Sequence, residues 1–410
     1  MESGKLRILY IGYWGANEGI SQATINPNLK ILLTFPEVEK LLYSSIERNK
    51  QNTFSIHSDE KLKHLPLKAD KYPFRIINKL IELILFGNQL LKIAKEERIN
   101  LIICRSSLSG NWGLKIHKST GIPFVVESFE PHSDYMLELG IWKKWGPSFL
   151  FQKRSETEQK KRALRLYPVA ENYRIELMKD GINSEKVKTI PCGVDLIKFA
   201  YSKADRIRIR SKLQINQDTP VGIYVGKFGG IYMDDDAFRV FANIFSGIPK
   251  FYLIILTPEN NEYIRSRCLK YKLPSDRVTV LSVPHMDVPN YLSAADIALS
   301  LIKSTPLRRF CSPIKHGEYW ANGLPIIVPD GIGDDSNLIE GDGGIVFNQK
   351  ENLKGHELDR IIFLIEKFKK NRNDNVSTAL ARNYRNINAI KSDYSILLET
   401  VSYYRKRLTS

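Results

Sequence analysis

The sequence predicts an α/β protein built from two Rossmann-like domains that face each other across a cleft, with a C-terminal helix crossing back onto the first domain. Three observations predict this fold. Short apolar runs alternate with amphipathic stretches of helical period, which is typical of parallel sheets covered by helices. The alternation occurs twice along the chain. At 410 residues, the chain is also too long for one ordinary core.

Each half of the chain is expected to contribute a parallel sheet. In the first half, strands are predicted at residues 6–12, 40–45, 100–107, 123–128, 164–170 and 187–191. In the second half, strands are predicted at residues 221–228, 251–257, 278–283, 297–302, 325–330 and 344–347. In sheets of this kind, ligands bind at the carboxyl ends of the strands.

The seam between the halves falls within residues 190–220, where a turn leads to a charged helix and then to a fresh strand. We predict one domain over residues 1–195 and a second over residues 196–387. The last stretch carries apolar residues at helical spacing. We therefore expect a C-terminal helix over residues 388–410 that packs back on the first domain.

The composition is that of a globular protein with an anionic partner. Apolar residues make up 43% and charged residues 26% of the chain, and the formal net charge is +16. Such a surplus indicates nucleic acid, acidic lipid or phosphorylated small molecules as partners. The amino-terminal stretch leads straight into an apolar strand, so we expect no export signal and a cytoplasmic protein. Four scattered cysteines are expected to be free thiols rather than zinc ligands: Cys104, Cys192, Cys268 and Cys311.

The stretch FCSPIKHGEYWANGLPIIV, residues 310–328, predicts a helix that starts at a ligand site. Ser312 suits the N-cap, Pro313 the first helical position, and Gly323 the position after the last turn. Because this helix follows a strand, its free amides would lie at the carboxyl end of the sheet. Free amides and the positive end of the helix dipole attract anions.

Lys315 and Glu318 stand three residues apart in this helix and share a face. A lysine in the first turn opposes the dipole, which is easier to explain if it contacts a phosphate or a sugar hydroxyl. A carboxylate one turn deeper suits the diol of a ribose. The alternative interpretation is an ordinary ion pair on a capped helix.

The stretch YVGKFGGIYMDDD, residues 224–236, is a second candidate site. Gly229 and Gly230 would let the backbone approach a phosphate, and Lys227 would supply positive charge. A plain glycine turn between strand and helix is the alternative. Three aspartates close the stretch, but acidic residues are expected at a helix start, so we expect no metal.

Two loops of the first domain offer residues for an acceptor. The glycines within residues 11–23 do not form the G-x-G-x-x-G fingerprint, which disfavours hydride transfer. Gly15 and Asn17 in this loop would still suit an acceptor or a phosphate. A later strand end carries four ionisable residues, for which a structural or surface role is the alternative: Glu127, Glu130, His132 and Asp134.

The segment of residues 140–167 interleaves aromatic side chains such as Trp142, Trp145 and Phe151 with lysine and arginine. Aromatic rings beside cations suit the interface of an anionic membrane. They also suit stacking on nucleic acid. A helix with a core-facing apolar side and a solvated basic side is the remaining alternative. Of these partners we expect the membrane surface, and no nucleic acid.

Three stretches resemble family 4 glycosyltransferases. IPCGVDLIKF, residues 190–199, is similar to the family segment I-P-N-G-V-D-x-x-x-F, and VPNYLSAADIALSLI, residues 288–302, to V-x-x-Y-x-x-A-D-[IV]. Residues 312–328 look like the donor-site helix that ends in E-x-x-A-x-G-x-P-V-[IV]. The resemblance extends from Arg7 to Leu408. It implies a GT-B fold and a retaining transfer from a UDP- or GDP-sugar, without an obligatory metal or another cofactor.

The resemblance also implies roles for single residues. Glu318 matches the second glutamate of the family's E-x7-E motif, which binds the donor ribose, and Lys227 matches a basic residue that binds the diphosphate. The first glutamate falls at Phe310 and a second basic residue at Met233, so this chain replaces both. His132 is a weak match to the family's first-domain histidine. Contacts to the sugar and the phosphates are then expected from Ser312, Pro313, Ile314, Lys315, Gly229 and Gly230.

The resemblance thus predicts a retaining glycosyltransferase that serves a glycan or lipid-linked acceptor in surface polysaccharide biosynthesis. The segment of residues 140–167 adds the expectation of a peripheral position on the inner face of the membrane. It also implies that the departing phosphate takes the acceptor's proton, without a protein nucleophile. One alternative is a sugar-nucleotide epimerase or hydrolase of the same fold. Another is a non-catalytic basic protein that binds membrane or nucleic acid.

Overall fold

The structure is a computed structural model that describes residues 5–48, 59–69, 75–339, 342–351, 353 and 355–409. Ser410, the end of the predicted C-terminal helix, lies outside the described residues. The chain divides into two compact units. The first unit comprises Met1–Pro191 and Ile387–Ser410, and the second unit comprises Cys192–Asn386.

A parallel sheet of six strands forms the centre of the first unit. The strands are β1 Leu6–Ile11, β2 Val38–Glu47, β3 Leu62–Lys68, β4 Leu101–Arg105, β5 Phe124–Phe129 and β6 Arg165–Pro168. Their order across the sheet is β3-β2-β1-β4-β5-β6. The order reverses between β1 and β4, and loops that leave the sheet at such a reversal form a crevice where ligands bind.

Helices cover this sheet, and the last of them comes from the far end of the chain. They are α1 Gly19–Thr24, α2 Asn26–Leu33, α3 Arg75–Glu96, α4 Gly110–Thr120, α5 His132–Glu138, α6 Pro147–Arg162, α7 Glu171–Lys179 and, after the second unit, α16 Ala389–Thr409. A 3₁₀ turn, Ser184–Lys186, follows α7.

The second unit repeats the plan with its own parallel sheet of six strands. They are β7 Val221–Val225, β8 Tyr252–Leu256, β9 Val278–Leu281, β10 Ile297–Leu299, β11 Ile326–Pro329 and β12 Gly344–Phe347. Their order is β12-β11-β10-β7-β8-β9, so this sheet reverses between β7 and β10. The crevice of the second unit is therefore expected where β7 and β10 end.

The helices of the second unit lie between these strands. They are α8 Lys203–Lys212, α9 Asp235–Gly247, α10 Asn261–Lys270, α11 Val288–Ala294, α12 Ile314–Ala321, α13 Asp335–Ile339, α14 Gly355–Lys370 and α15 Val376–Tyr384. Three 3₁₀ turns, Ser275–Arg277, His285–Asp287 and Pro306–Phe310, connect some of them.

Both faces of the second sheet are buried, which is why its strands are continuous apolar runs. Successive residues of β8 alternate between two cores. Leu253 and Ile255 pack with phenylalanines of α9 on one face, whereas Ile254 packs with Tyr319 and Trp320 of α12 on the other. Burying a large apolar side chain of this kind stabilises the fold by about 1.5–3 kcal/mol.

One strand prediction in the first unit was wrong, and one strand was missed. Residues 187–191 form no strand, because only Val187 makes a bridge, to Leu166. The sixth strand is instead β3, which pairs with β2 at the edge of the sheet and contains Pro66. The predicted architecture survives this exchange, since two parallel α/β sheets are present.

The returning helix α16 is fixed to the first unit by a core and by a buried carboxylate. Ile390, Tyr394 and Leu397 belong to the same apolar cluster as residues of β1 and α2. The hydroxyl of Tyr394 donates a hydrogen bond to Glu127, a residue of β5 that is 2% exposed. Packing of the C-terminal helix on the first unit agrees with its predicted position.

Candidate functional site

The reversal point of the second sheet brings together three segments of the chain. They are the loop after β7, the residues that follow β10, and the first turn of α12. Two backbone hydrogen bonds fasten the loop to the β10 side, from Met233 N to Leu301 O at 2.9 Å and from Lys303 N to Ile231 O at 3.0 Å. Lys315 of α12 lies against Tyr232 and Gly226, so both sequence-predicted stretches of the second domain meet at one place.

The start of α12 differs from the prediction in its cap. Pro313, not Ser312, occupies the N-cap, and no side chain caps the helix. The Ser312 hydroxyl accepts hydrogen bonds from the Cys192 amide, at 3.0 Å, and from Arg385. Ser312 thus holds neighbouring segments together, and the first amides of α12 receive no side-chain cap.

The ammonium of Lys315 is buried at this point and has no hydrogen-bond partner among the described residues. It faces two rings, with its Nζ 4.4 Å from the centroid of Tyr232 and 5.3 Å from that of Tyr224. It also lies against Gly226, where a Cβ would be only 2.8 Å from Nζ. Burial lowers the pKa of Lys315 to about 8, although the charge of Glu318 opposes this shift.

Glu318 is 5% exposed and its Oε1 accepts a hydrogen bond of 2.7 Å from His285 Nε2. His285 belongs to the 3₁₀ turn after β9 and packs against Phe199, with ring centroids 5.7 Å apart. Glu318 is thus hydrogen-bonded to His285, whereas Lys315 Nζ makes no hydrogen bond to it. The carboxylate is positioned by a histidine from another segment.

The glycine loop after β7 adopts conformations that favour glycine. Gly229 and Gly230 have φ values of 75° and 61°, in the left-handed region. The side chain of Lys227 is exposed, while its carbonyl accepts a hydrogen bond from the Tyr224 hydroxyl. The loop thus offers one exposed cation, Lys227, and two adjacent residues without side chains, Gly229 and Gly230.

The three aspartates after the loop are engaged with neighbouring side chains. Within the described part of the chain, no three histidine, cysteine or acidic side chains are grouped so as to hold a metal ion. Each aspartate accepts hydrogen bonds from nearby donors: Asp234 from Tyr263, Asp235 from Arg267 and Lys270, and Asp236 from Arg239.

A buried polar network supports α12 from behind. His316 Nδ1 donates to Asp335 at 2.6 Å, and its Nε2 accepts from the Ser300 hydroxyl at 2.6 Å. Burial lowers the pKa of His316, so the neutral ring matches this arrangement. Arg385 bonds to both Asp335 and Ser312. Burial alone would raise the pKa of Asp335, but the charge of Arg385 and the hydrogen bond from His316 lower it. The network joins the ends of β10, α12, α13 and α15.

Phe310 ends the 3₁₀ turn that precedes α12 and is 4% exposed. The guanidinium carbon of Arg309 lies 4.7 Å from the centroid of its ring. A buried ring accepts no conventional hydrogen bond from a sugar. Any polar contact near this position must come from other groups.

In the first unit, the predicted loop after β1 lies at the reversal point of its sheet. The amide of Gly15 donates to Glu18 at 3.0 Å, and that of Ala16 donates to Glu47 at 2.9 Å. Asn17 is partly exposed in the same loop. The loop is therefore closed by carboxylates of its own unit.

The ionisable residues after β5 have separate roles. Glu127 is a core residue, which accepts hydrogen bonds from Tyr10 at 2.6 Å and Asn28 at 3.1 Å. His132 and Glu130 lie at the start of α5, with His132 Nδ1 3.6 Å from Glu130 Oε1. Asp134 is paired with Lys153 at 2.6 Å. Among these four residues, His132 and Glu130 therefore remain candidates for a ligand.

The segment around α6 exposes large apolar side chains beside cations. Trp145 is 78% exposed, and Lys144 Nζ lies 5.7 Å from the centroid of its indole ring. We define the α6 surface by its exposed residues: Ile141, Lys143, Lys144, Trp145, Leu150, Phe151 and Arg154. Among the described residues, no helix has the length and apolarity needed to cross a bilayer.

Sequence reasoning missed several residues of the site. The missed residues are His285, Tyr224, Tyr232, Asp335 and Arg385. Tyr224 and Tyr232 lie within the predicted stretch of residues 224–236, where nothing marked them as neighbours of a lysine. His285, Asp335 and Arg385 come from other segments, so no local spacing links them to Lys315 or Glu318. The one available signal was a histidine directly after a strand, since β9 ends at Leu281 and His285 follows within one turn.

Comparison with known proteins agrees with this architecture. Residues 54–198 match the family model of Glycosyltransferase Family 4. No curated protein matches the chain by sequence. Sucrose-phosphate synthase from Thermosynechococcus elongatus is 17% identical, with a TM-score of 0.69 over 99% of this chain and 100% of that chain.

Two further solved structures are similar along nearly the whole chain. Anabaena HepE, solved in complex with UDP-glucose, is 14% identical, with a TM-score of 0.69 over 96% of this chain and 100% of that chain. WaaG, a glycosyltransferase involved in lipopolysaccharide biosynthesis, is 14% identical, with a TM-score of 0.62 over 96% of this chain and 98% of that chain. Two parallel α/β sheets with these likenesses confirm the predicted GT-B fold, and residues 54–198 carry the match to Glycosyltransferase Family 4.

Proposed function

We propose that the protein is a retaining glycosyltransferase that moves a sugar from a UDP- or GDP-sugar to a glycan or lipid-linked acceptor in surface polysaccharide biosynthesis. The observation that carries this proposal is the buried ammonium of Lys315 beside the carboxylate of Glu318, at the reversal point of the second sheet. A cation there suits a diphosphate and a carboxylate suits a ribose. The likeness to HepE, which was solved with UDP-glucose, supports a uridine nucleotide.

The proposed donor contacts divide by chemistry. Glu318 accepts hydrogen bonds from the ribose hydroxyls, and Lys227 binds the diphosphate together with the amides of Gly229 and Gly230. The start of α12 adds the backbone amide of Ile314, and the residue before the N-cap adds that of Ser312, since Pro313 has no N–H. Ser312 contributes through its amide, because its hydroxyl is engaged within the protein.

Transfer then proceeds on one face of the sugar. The bond from the anomeric carbon to the β-phosphate oxygen breaks, and its electron pair stays on the diphosphate. The acceptor oxygen bonds to the anomeric carbon on the same face, and its proton passes to the departing phosphate. Lys227 and the loop amides stabilise the negative charge that develops, which is the largest contribution that such sites make.

The test is sugar transfer from UDP-glucose and GDP-mannose by single variants. We expect Lys227→Ala and Glu318→Ala each to lower kcat/KM by about 100-fold or more, as loss of a charge-stabilising group does. Lys250→Ala is the matched control, because Lys250 is exposed before β8, at the opposite edge of the sheet. Donor incubated without acceptor separates transfer from epimerisation or hydrolysis. Unchanged turnover in both site variants would contradict the assignment.

The acceptor is proposed to bind to the first unit, near Gly15, Asn17, Glu130 and His132. The reversal point of the first sheet supports the loop that carries Gly15 and Asn17. Substitution of Asn17 by alanine should raise KM for the acceptor and leave KM for the donor unchanged. A change in the donor KM alone would exclude Asn17 from the acceptor site.

The α6 surface is proposed to hold the protein on the inner face of the membrane. Its exposed indole and phenyl rings suit the lipid interface, and its cations suit acidic headgroups. The wild-type protein should sediment together with vesicles made of equal parts of phosphatidylglycerol and phosphatidylcholine. The double variant Trp145→Ala, Phe151→Ala should stay in solution. Equal sedimentation of both proteins would place the membrane contact elsewhere.

A further inference from the structure

We propose that Lys315 is a proton-coupled phosphate ligand: a phosphate group binds the ammonium form only, and its binding draws a proton onto Lys315. The identification of this anion as the diphosphate of the sugar donor rests on the proposed function. The burial of the ammonium does not depend on that function, and the requirement for an anion follows from the groups that surround Nζ.

The surroundings of Lys315 hold a charge without completing its hydrogen bonds. An ammonium has three donors, and Nζ is buried with none of them satisfied among the described residues. Its neighbours are the faces of Tyr224 and Tyr232 and the backbone at Gly226. Ring faces attract a cation, but they replace its lost hydration only in part. A buried charge of this kind is stable when a ligand supplies the missing acceptors.

The acidic group nearest to Lys315 is already engaged. Glu318 is the charge that opposes the effect of burial on Lys315, and its Oε1 holds His285. Burial raises the pKa of both Tyr224 and Tyr232, so these hydroxyls stay neutral. His316, next to Lys315 in the helix, is a neutral ring bonded to Asp335. None of these groups supplies the hydrogen-bond acceptors that Lys315 lacks.

The position of the ammonium suits a phosphate. It lies in the first turn of α12, at the end of β7, where helix amides and strand ends converge. Gly226 brings bare backbone against Nζ on one side. Tyr232 covers another side and is itself only partly buried. Phosphate binding requires its side chain to rotate away from the ammonium. A phosphate oxygen can then replace the ring as its neighbour.

The charge state of Lys315 gives the proposal a measurable signature. Burial lowers the pKa of Lys315 to about 8, from about 10.4 in an unfolded chain. A bound phosphate favours the ammonium and raises this pKa again. Around pH 8 and above, binding must therefore take up protons, and affinity must fall as the pH rises through 8.

The unliganded protein should show the opposite trend in stability. Between about pH 8 and 10.4, the unfolded chain keeps the proton that the folded chain has lost. The free energy of unfolding contributed by Lys315 therefore rises with pH across this window. Below pH 8 both states are protonated and the cost of burying the charge is fully present.

Calorimetry with inorganic pyrophosphate and with UDP tests the proposal, at pH 7, 8 and 9 in two buffers of different ionisation enthalpy. Wild type should take up protons at pH 8 and 9. We expect Lys315→Met to weaken both ligands by about 10- to 100-fold at pH 7, the loss of one or two charge-assisted hydrogen bonds, and to abolish proton uptake. Lys250→Met, at an exposed lysine, should behave as wild type.

A second variant separates charge from fold. Lys315→Arg keeps its charge across this pH range, so it should bind pyrophosphate without proton uptake and without loss of affinity at pH 9. Lys315→Met should melt at a temperature equal to or above that of wild type without ligand, because it removes a buried unpartnered charge. Its loss of binding is then not a loss of structure.

Three results would overturn the inference. They are wild-type affinity for pyrophosphate in Lys315→Met, no proton uptake by wild type at pH 9, and no binding of pyrophosphate or UDP by wild type. Proton-coupled binding that depends on Lys315, combined with no sugar transfer from any donor, would instead sustain the inference and contradict the proposed function.

Discussion

Glu318 shows how one residue can be identified by pattern and still be explained only by its partner. Its spacing from Lys315 correctly places both residues on one face of a helix. The sequence cannot show that His285, 33 residues earlier, donates the hydrogen bond that holds the carboxylate at 2.7 Å. The partner arrives through tertiary packing, so no period in the chain marks it. His285 is thus a positioning residue for Glu318.

Replacing His285 tests this positioning role. His285→Ala should weaken UDP binding by about 5- to 10-fold, since Glu318 loses one hydrogen bond worth about 1 kcal/mol. His285→Gln should restore most of the affinity, because its amide also donates. Calorimetric titration with UDP measures both, and His356→Ala, at an exposed histidine of α14, is the control.

A different outcome would assign His285 another role. Equal losses in His285→Ala and His285→Gln would mean that the imidazole ring itself contacts the nucleotide. No loss in either variant would show that Glu318 needs no partner to bind.

The A-A-D-I stretch, residues 294–297, leads into β10, and its aspartate has a structural role. Asp296 is 1% exposed and accepts hydrogen bonds from Arg210 at 2.8 Å, Arg206 at 2.8 Å and the Val221 amide at 2.9 Å. It therefore joins α8 to the starts of β7 and β10. These starts lie at the sheet edge opposite to the candidate site, so the aspartate stabilises the fold rather than the chemistry.

Asp296→Asn should destabilise the second unit strongly. The change leaves Arg210, which is fully buried, without its countercharge, and breaking a buried pair costs about 3–5 kcal/mol. Urea unfolding followed by hydrogen exchange in β7 and β10 measures the effect. Asp276→Asn, at an exposed position, should change stability by less than about 0.5 kcal/mol. A similarly small change in Asp296→Asn would contradict the role of the ion pairs.

Elements with one strong period were predictable from the sequence, whereas edge elements were not. β8 and β10 are apolar because helices cover both faces of their sheet. β3 carries lysines and Pro66 in a strand that pairs on one side only, as edge strands do. Residues 187–191 have the composition of a strand. At the sheet edge beside β6, however, only Val187 pairs, through a single bridge to Leu166.

For the whole molecule, the two parallel sheets were predictable because each half of the chain repeats one alternation of strands and helices, whereas the order of the strands was not predicted. The site was predictable as two stretches, since strand ends at a reversal collect ligands. Its remaining members, such as Arg385 and His285, depend on which segments meet, and that is a property of the folded chain.

The hydrogen bond from Tyr394 to Glu127 is a polar contact between α16 and the sheet of the first unit. Tyr394→Phe keeps the ring and removes the donor, which should lower the free energy of unfolding of the first unit by about 1–3 kcal/mol. Hydrogen exchange of α16 and β5 locates the loss. Tyr403→Phe, at a side chain that is 56% exposed, is the matched control. Equal exchange in the two variants would show that apolar packing alone holds α16.

The return of α16 has a consequence for the order of folding during synthesis. The first unit needs residues 387–409, but the whole of the second unit is translated before them. At a rate of 5–20 residues per second, the first unit waits about ten seconds or more with the place of α16 uncovered. During that interval Glu127 lacks Tyr394 and apolar residues of β1 and α2 lack their cover. The unit that leaves the ribosome first is therefore the last to complete its core.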